Sequence, residues 1–120
     1  MRRSILKALK KKWLEKREEL AIEEAARTVK SQFPVEEIIL FGSKARGDHN
    51  AFSDIDLLLV TTKSLHWKDE KAIVEILFDI GMAHDVIFTP LFVSKREWKG
   101  GAFAVFPIYA EILRDGAVVQ

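Results

Sequence analysis

The chain has no cysteine among its 120 residues. That excludes disulfides, thiolate metal sites and cysteine nucleophiles, and it is compatible with a reducing compartment. An excess of one charge is also missing: 19 Lys and Arg stand against 18 Asp and Glu, for a formal net charge of +1, so no strong overall field is expected. No apolar run approaches the roughly 18 residues of a membrane span. The basic start Met1-Arg2-Arg3 leads into an amphipathic stretch instead of the apolar core of a secretory signal. A cytoplasmic protein that does not enter a membrane is therefore expected. No internal repeat, low-complexity segment or linker interrupts the chain.

What is present reads as an ordinary folded protein. A hydrophobic fraction of 48% and a charged fraction of 31% argue against disorder, and the length suits one domain spanning residues 1–120. Basic residues crowd the start: Arg2, Arg3, Lys7, Lys10, Lys11, Lys12, Lys16 and Arg17. From Ile5 to Val29 apolar residues recur at helical spacing without Pro or Gly, which predicts one long helix within residues 1–33. Pro34 stops it near Ser31 to Phe33. Beyond it, Val35 to Phe41 and Asp54 to Val60 read as strands, Lys68 to Ile80 as a helix stopped by Gly81, and His84 to Thr89 as a third strand ending before Pro90. Ser94 is an N-cap for a short helix through Trp98; Ala102 to Arg114 is a last helix stopped by Gly116, and Val118 and Val119 are left for a final short strand. Interleaved helices and strands predict an α+β fold of α/β type: a small mixed sheet flanked by helices, with a long N-terminal helix.

Two aspartates inside the second predicted strand demand an explanation. Side chains alternate along a strand, so Asp54 and Asp56 project from one face into one small space. Like charges that close need a proton or a bridging cation, and Mg²⁺ typically takes one or two carboxylates together with substrate phosphates. Asp85, in the third predicted strand, would make a third carboxylate if the sheet set it beside the pair, as a two-metal site requires. Upstream, Gly42-Ser43 closes the first strand. A glycine there lets backbone N–H groups and a following helix start face a phosphate, Ser43 can donate its hydroxyl, and Lys44 or Arg46 can neutralise charge. Other residues read more blandly. No histidine pair has metal-ligand spacing, and Trp98, Phe103, Phe106 and Tyr109 fit a core or a partner interface better than an adenine pocket. Any of these aromatics left exposed would favour homo-oligomerisation.

The order Gly42-Ser43-Lys44-Ala45-Arg46-Gly47, a polar spacer, then Ser53-Asp54-Ile55-Asp56 running into an apolar strand resembles the nucleotidyltransferase superfamily of DNA-polymerase-beta-like fold, most closely its minimal MNT-type members. The match is strong from Ile38 to Val60 and looser beyond, and the first helix carries none of the motif. The resemblance implies that residues 35–120 form a minimal catalytic core. It implies that Gly42, Ser43 and Arg46 bind the nucleotide, and that Asp54, Asp56 and Asp85 are catalytic and hold one or two Mg²⁺ ions. It further implies transfer of a nucleoside monophosphate with release of pyrophosphate. Because such proteins are often encoded beside HEPN-type toxins, the expected activity is transfer of AMP from ATP to a hydroxyl of a partner toxin. The alternatives are a non-catalytic module that masks its partner, or a transferase acting on RNA or a small molecule, with the basic N-terminal segment gripping the acceptor.

Overall fold

The structure, a computed structural model, describes residues 13–48 and 54–119 together with the backbone of residues 7 and 8. In chain order the elements are β1 (Lys7–Ala8), α1 (Lys16–Gln32), β2 (Val35–Phe41), α2 (Ser43–Arg46), β3 (Ile55–Thr61), α3 (Trp67–His84), β4 (Phe88–Ser94), α4 (Lys95–Trp98), a 3₁₀ turn (Ala102–Val105), α5 (Pro107–Asp115) and β5 (Ala117–Val118). The strands form a mixed sheet in the order β1-β5-β2-β3-β4. β2 runs antiparallel to both β3 and β5, while β4 is parallel to β3 and β1 parallel to β5.

Strand alternation divides the core in two. Ile38 and Leu40 of β2 with Ile55, Leu57 and Leu59 of β3 meet Ala21, Ile22, Ala25, Ala26 and Val29 of α1 and Ile73, Leu77 and Ile80 of α3. On the other face, Ile39, Leu58, Val60 and Val93 meet Trp98 and Ile112. There Trp98 makes an edge contact with Tyr109 at 5.0 Å between ring centroids, and Phe103 packs beside both. Those three aromatics are therefore packing residues, as their spacing suggested. A sheet covered on both faces explains the near-continuous apolar run of β3, since a strand buried twice has no polar side.

Three boundaries differ from expectation, each for a local reason. Helix α1 does not begin near Ile5. Lys7 and Ala8 pair with β5 as a strand, and the helix starts at Lys16 after Glu15, whose N–H donates to Glu18 Oε1 at 2.8 Å. The rest of the anticipated helix before Trp13 lies outside the described residues. Helix α3 runs through Gly81 to His84, and Asp85 ends it in a left-handed conformation (φ 58°), with the Val86 N–H bonding back to the Gly81 carbonyl at 2.9 Å. The third main strand consequently begins at Phe88, not His84, and passes through Pro90. Proline is tolerated because β4 is the edge strand, with β3 as its single neighbour in the sheet. The last anticipated helix is likewise broken: the 3₁₀ turn ends before Phe106, and Pro107 opens α5. Among the described residues no helix is long and apolar enough to cross a membrane.

Candidate active site

β2 ends where β3 begins, and that junction brings the two halves of the sequence motif together. Phe41 pairs with Asp56 across the antiparallel ladder, so Gly42, the next residue, lies against the aspartate. Gly42 has φ 75°, a conformation L side chains rarely adopt, and a Cβ there would stand 2.2 Å from Asp56 Oδ2. Position 42 admits no other residue without displacing the carboxylate. Ser43 opens the single turn of α2, where the first N–H groups have no intrahelical partner. With four residues, α2 is too short for a helix dipole to add much, so any anion held here would rest on local N–H and hydroxyl donors.

Asp54, the residue before β3, and Asp56 within it lie close enough for their charges to interact. Burial pushes the Asp56 carboxyl up from its ordinary value, the neighbouring Asp54 charge adds to this, and Arg46 opposes it. The pair is thus an electrostatic deficit that a cation would relieve, and half-buried Asp56 beside exposed Asp54 leaves a coordinating edge open to solvent. Arg46 is exposed and its guanidinium also meets Asp48, with Nε 3.1 Å from Oδ2.

Asp85 is not part of this group. As the C-cap of α3 it is exposed, and its main-chain carbonyl accepts a 2.8 Å bond from Arg17 Nη1 on α1. Among the described residues no three His, Cys, Asp or Glu side chains are placed to hold a metal ion. The anticipated carboxylate triad is therefore two carboxylates here, because α3 continues past Gly81 and places Asp85 at the helix end, ahead of the strand. The position beside Asp56 in β4 belongs to Thr89, whose hydroxyl donates to Asp54 Oδ2 at 2.8 Å. Thr89 was not singled out from the sequence; the parallel register between two strands 33 residues apart is a tertiary fact.

Of the two cations expected to neutralise phosphate charge, Lys44 or Arg46, Lys44 is turned into the core. It does not face a phosphate: it is 2% exposed, and its ammonium is paired with the equally buried Glu18 of α1. Burial raises the Glu18 carboxyl, but the Lys44 hydrogen bond, the Glu15 N–H and the Lys44 and Arg17 charges outweigh it, holding Glu18 below the usual carboxylate range. Glu18 did leave a trace in the sequence, since it occupies the buried stripe 18, 21, 22, 25, 26, 29 of α1, in helical phase with apolar residues. His84, in the last turn of α3, has its Nε2 2.8 Å from Glu24 Oε1 and ties α3 to α1.

A family model described as a nucleotidyltransferase domain matches residues 22–99. Two proteins of Methanocaldococcus jannaschii, each named "putative protein adenylyltransferase", are similar in sequence. One is 51% identical over 106 residues, covering 85% of this chain and 97% of the relative. The other is 31% identical over 61 residues, covering 51% of this chain and 62% of the relative, so the matched stretch spans less than two thirds of that protein. Among solved structures, a toxin–antitoxin complex with AMP-PNP shares the fold, with a TM-score of 0.57 at 17% identity over 83% of this chain and 70% of that one. The Gly42-Ser43 turn, the Asp56 carboxylate it touches and the family match over residues 22–99 converge on one conclusion: the chain belongs to the nucleotidyltransferase domain family.

Proposed function

We propose that this protein is a Mg²⁺-dependent adenylyltransferase that moves AMP from ATP to a hydroxyl of a partner protein, a HEPN-type toxin by family resemblance, in the cytoplasm. The observation that carries the reading is the contact between Gly42 and Asp56, which puts phosphate donors and a carboxylate pair at one strand junction. The names of the sequence relatives support AMP as the group transferred and a protein as acceptor. The toxin–antitoxin complex holding AMP-PNP supports a nucleotide site and a toxin partner on this fold.

In this mechanism the chain supplies positioning and charge, which is most of what phosphoryl transfer needs. Backbone N–H groups at Gly42 and Ser43, with the Ser43 hydroxyl, hold the β- and γ-phosphates. Arg46 lies within electrostatic reach of Asp56 and offsets phosphate charge. Asp54 and Asp56 would hold Mg²⁺, which when bound neutralises phosphate charge as it develops. Thr89 fixes one oxygen of Asp54 and leaves the other for the ion. The acceptor oxygen forms a bond to the α-phosphorus as the bond to the β-phosphate oxygen breaks, pyrophosphate leaves, and the hydroxyl proton passes to solvent. No covalent enzyme intermediate is needed.

The test is incubation with each NTP and Mg²⁺, with and without the protein encoded beside it, followed by intact-mass spectrometry. A gain of one AMP on the partner, lost in Asp56→Asn, is the expected result. A tight complex without any mass gain would replace this reading with that of a masking module, and transfer to RNA but to no protein would replace the acceptor.

A further inference from the structure

The Glu18–Lys44 pair takes no part in the chemistry above, yet it is the most deeply buried charged pair among the described residues. Lys44 follows Ser43 directly, so whatever holds Lys44 also holds the loop that the nucleotide reading requires. Three contacts from two residues, Glu18 and Trp13, converge on that loop. The Lys44 ammonium meets Glu18 Oε2; the other oxygen of the same carboxylate accepts the Glu15 N–H, which anchors the pair to the first turn of α1. Its carbonyl oxygen accepts the indole N–H of Trp13 at 2.7 Å. The Trp13 ring also closes over Gly47 at the far end of α2, where a Cβ would stand 3.0 Å from Cε2. Segment 13–18 therefore grips α2 at its start through side chain and carbonyl, and at its end through ring contact.

We propose that Trp13, Glu18 and Lys44 are positioning residues that clasp the Gly42–Gly47 loop in its nucleotide-binding conformation, so that nucleotide affinity depends on Trp13 and the first turn of α1. The inference rests on the nucleotide reading of Gly42 and Ser43. The pair is neutral as a unit and buried, so it adds no net charge for the phosphates. Its contribution is the position of the loop, which a conformationally free Gly42 cannot secure on its own.

Three proteins decide it: wild type, Trp13→Phe, and the double variant Glu18→Met with Lys44→Met, in which apolar side chains of similar length replace the buried ions and the fold is expected to survive. Two readouts are taken, amide hydrogen exchange over residues 42–47 and calorimetric affinity for AMP-PNP with Mg²⁺. In the double variant the thermal midpoint stays near that of wild type, while loop exchange speeds up and affinity falls about tenfold. Trp13→Phe keeps the ring over Gly47 but loses the indole donor, and affinity falls about fivefold. Exchange and affinity within about twofold of wild type in a folded double variant would overturn the clasp and leave the pair as simple core structure. If the double variant does not fold, Trp13→Phe decides alone. Wild type that binds no AMP-PNP would defeat the nucleotide reading, while loop exchange would still report whether the clasp exists.

Discussion

Two charge pairs meet on one short loop and are built in opposite ways. Asp54 and Asp56 carry like charge, lie at the solvent edge and leave the Asp56 proton held more tightly than usual; Glu18 and Lys44 carry opposite charge, are fully buried and keep Glu18 ionised. Gly42 touches Asp56 of the first pair, and Lys44, two residues on, belongs to the second. The buried charges are satisfied internally, while a charge at the solvent edge is left unsatisfied, as the proposed ligand site would require. The same contrast separates the two lysine and arginine residues of α2: Lys44 points into the protein as structure, and Arg46 remains exposed at the site.

The largest break in this contrast is Glu18→Leu. It strands the Lys44 ammonium in the core and removes the acceptor of the Glu15 N–H, and should cost about 3–5 kcal/mol of unfolding free energy by denaturant titration. Such a loss would unfold much of a protein of ordinary stability.

Asp56→Asn acts in the opposite sense. It should lower nucleotide transfer by at least about a hundredfold, as expected for loss of a charged group at the reacting phosphate. In metal-free buffer, however, it should leave the fold no less stable than wild type. The sign follows from the direction of each shift. A carboxyl whose pKa is raised on folding contributes stability that is full below its unfolded value and is lost as pH rises through its folded value. Asp56 therefore weakens the apo-protein at neutral pH, and the advantage of the variant should grow as pH rises from about 4 through the raised folded value, and level off above it. Glu18, lowered on folding, stabilises above its unfolded value and loses that contribution as pH falls through its folded one. Adding Mg²⁺ should reverse the order at neutral pH, because the ion stabilises wild type by mass action and has one fewer ligand in the variant. Thermal midpoints with Mg²⁺ and with EDTA test both signs, and a variant stabilised equally by Mg²⁺ would remove Asp56 from the metal site.

The smallest effect belongs to Thr89→Val. It removes one hydrogen bond to an exposed carboxylate, worth about 1 kcal/mol, and should weaken Mg²⁺ affinity at most about fivefold with no change in fold. A hundredfold loss there would mean that Thr89 contacts the ligand itself.

Much of this was legible in one dimension, and the reason is range. β2 was read residue for residue, and the end of α1 at Pro34, the Ser94 cap and the stop at Gly116 all depend on neighbours a few positions away. The Gly42-Ser43 turn and the aspartate pair were legible because alternation along a strand is a local rule that places Asp54 and Asp56 together whatever the fold. Only tertiary structure decided which groups those local pieces meet. A helix that continues three residues past Gly81 moves Asp85 out of β4, the parallel register of β3 with β4 sets Thr89 beside the aspartates, and burial under α1 turns Lys44 from a phosphate ligand into a core residue. A side chain's charge is written in the sequence; whether it faces water, a ligand or an opposite charge depends on chain segments tens of residues away, and their approach is set by the packing of the whole core.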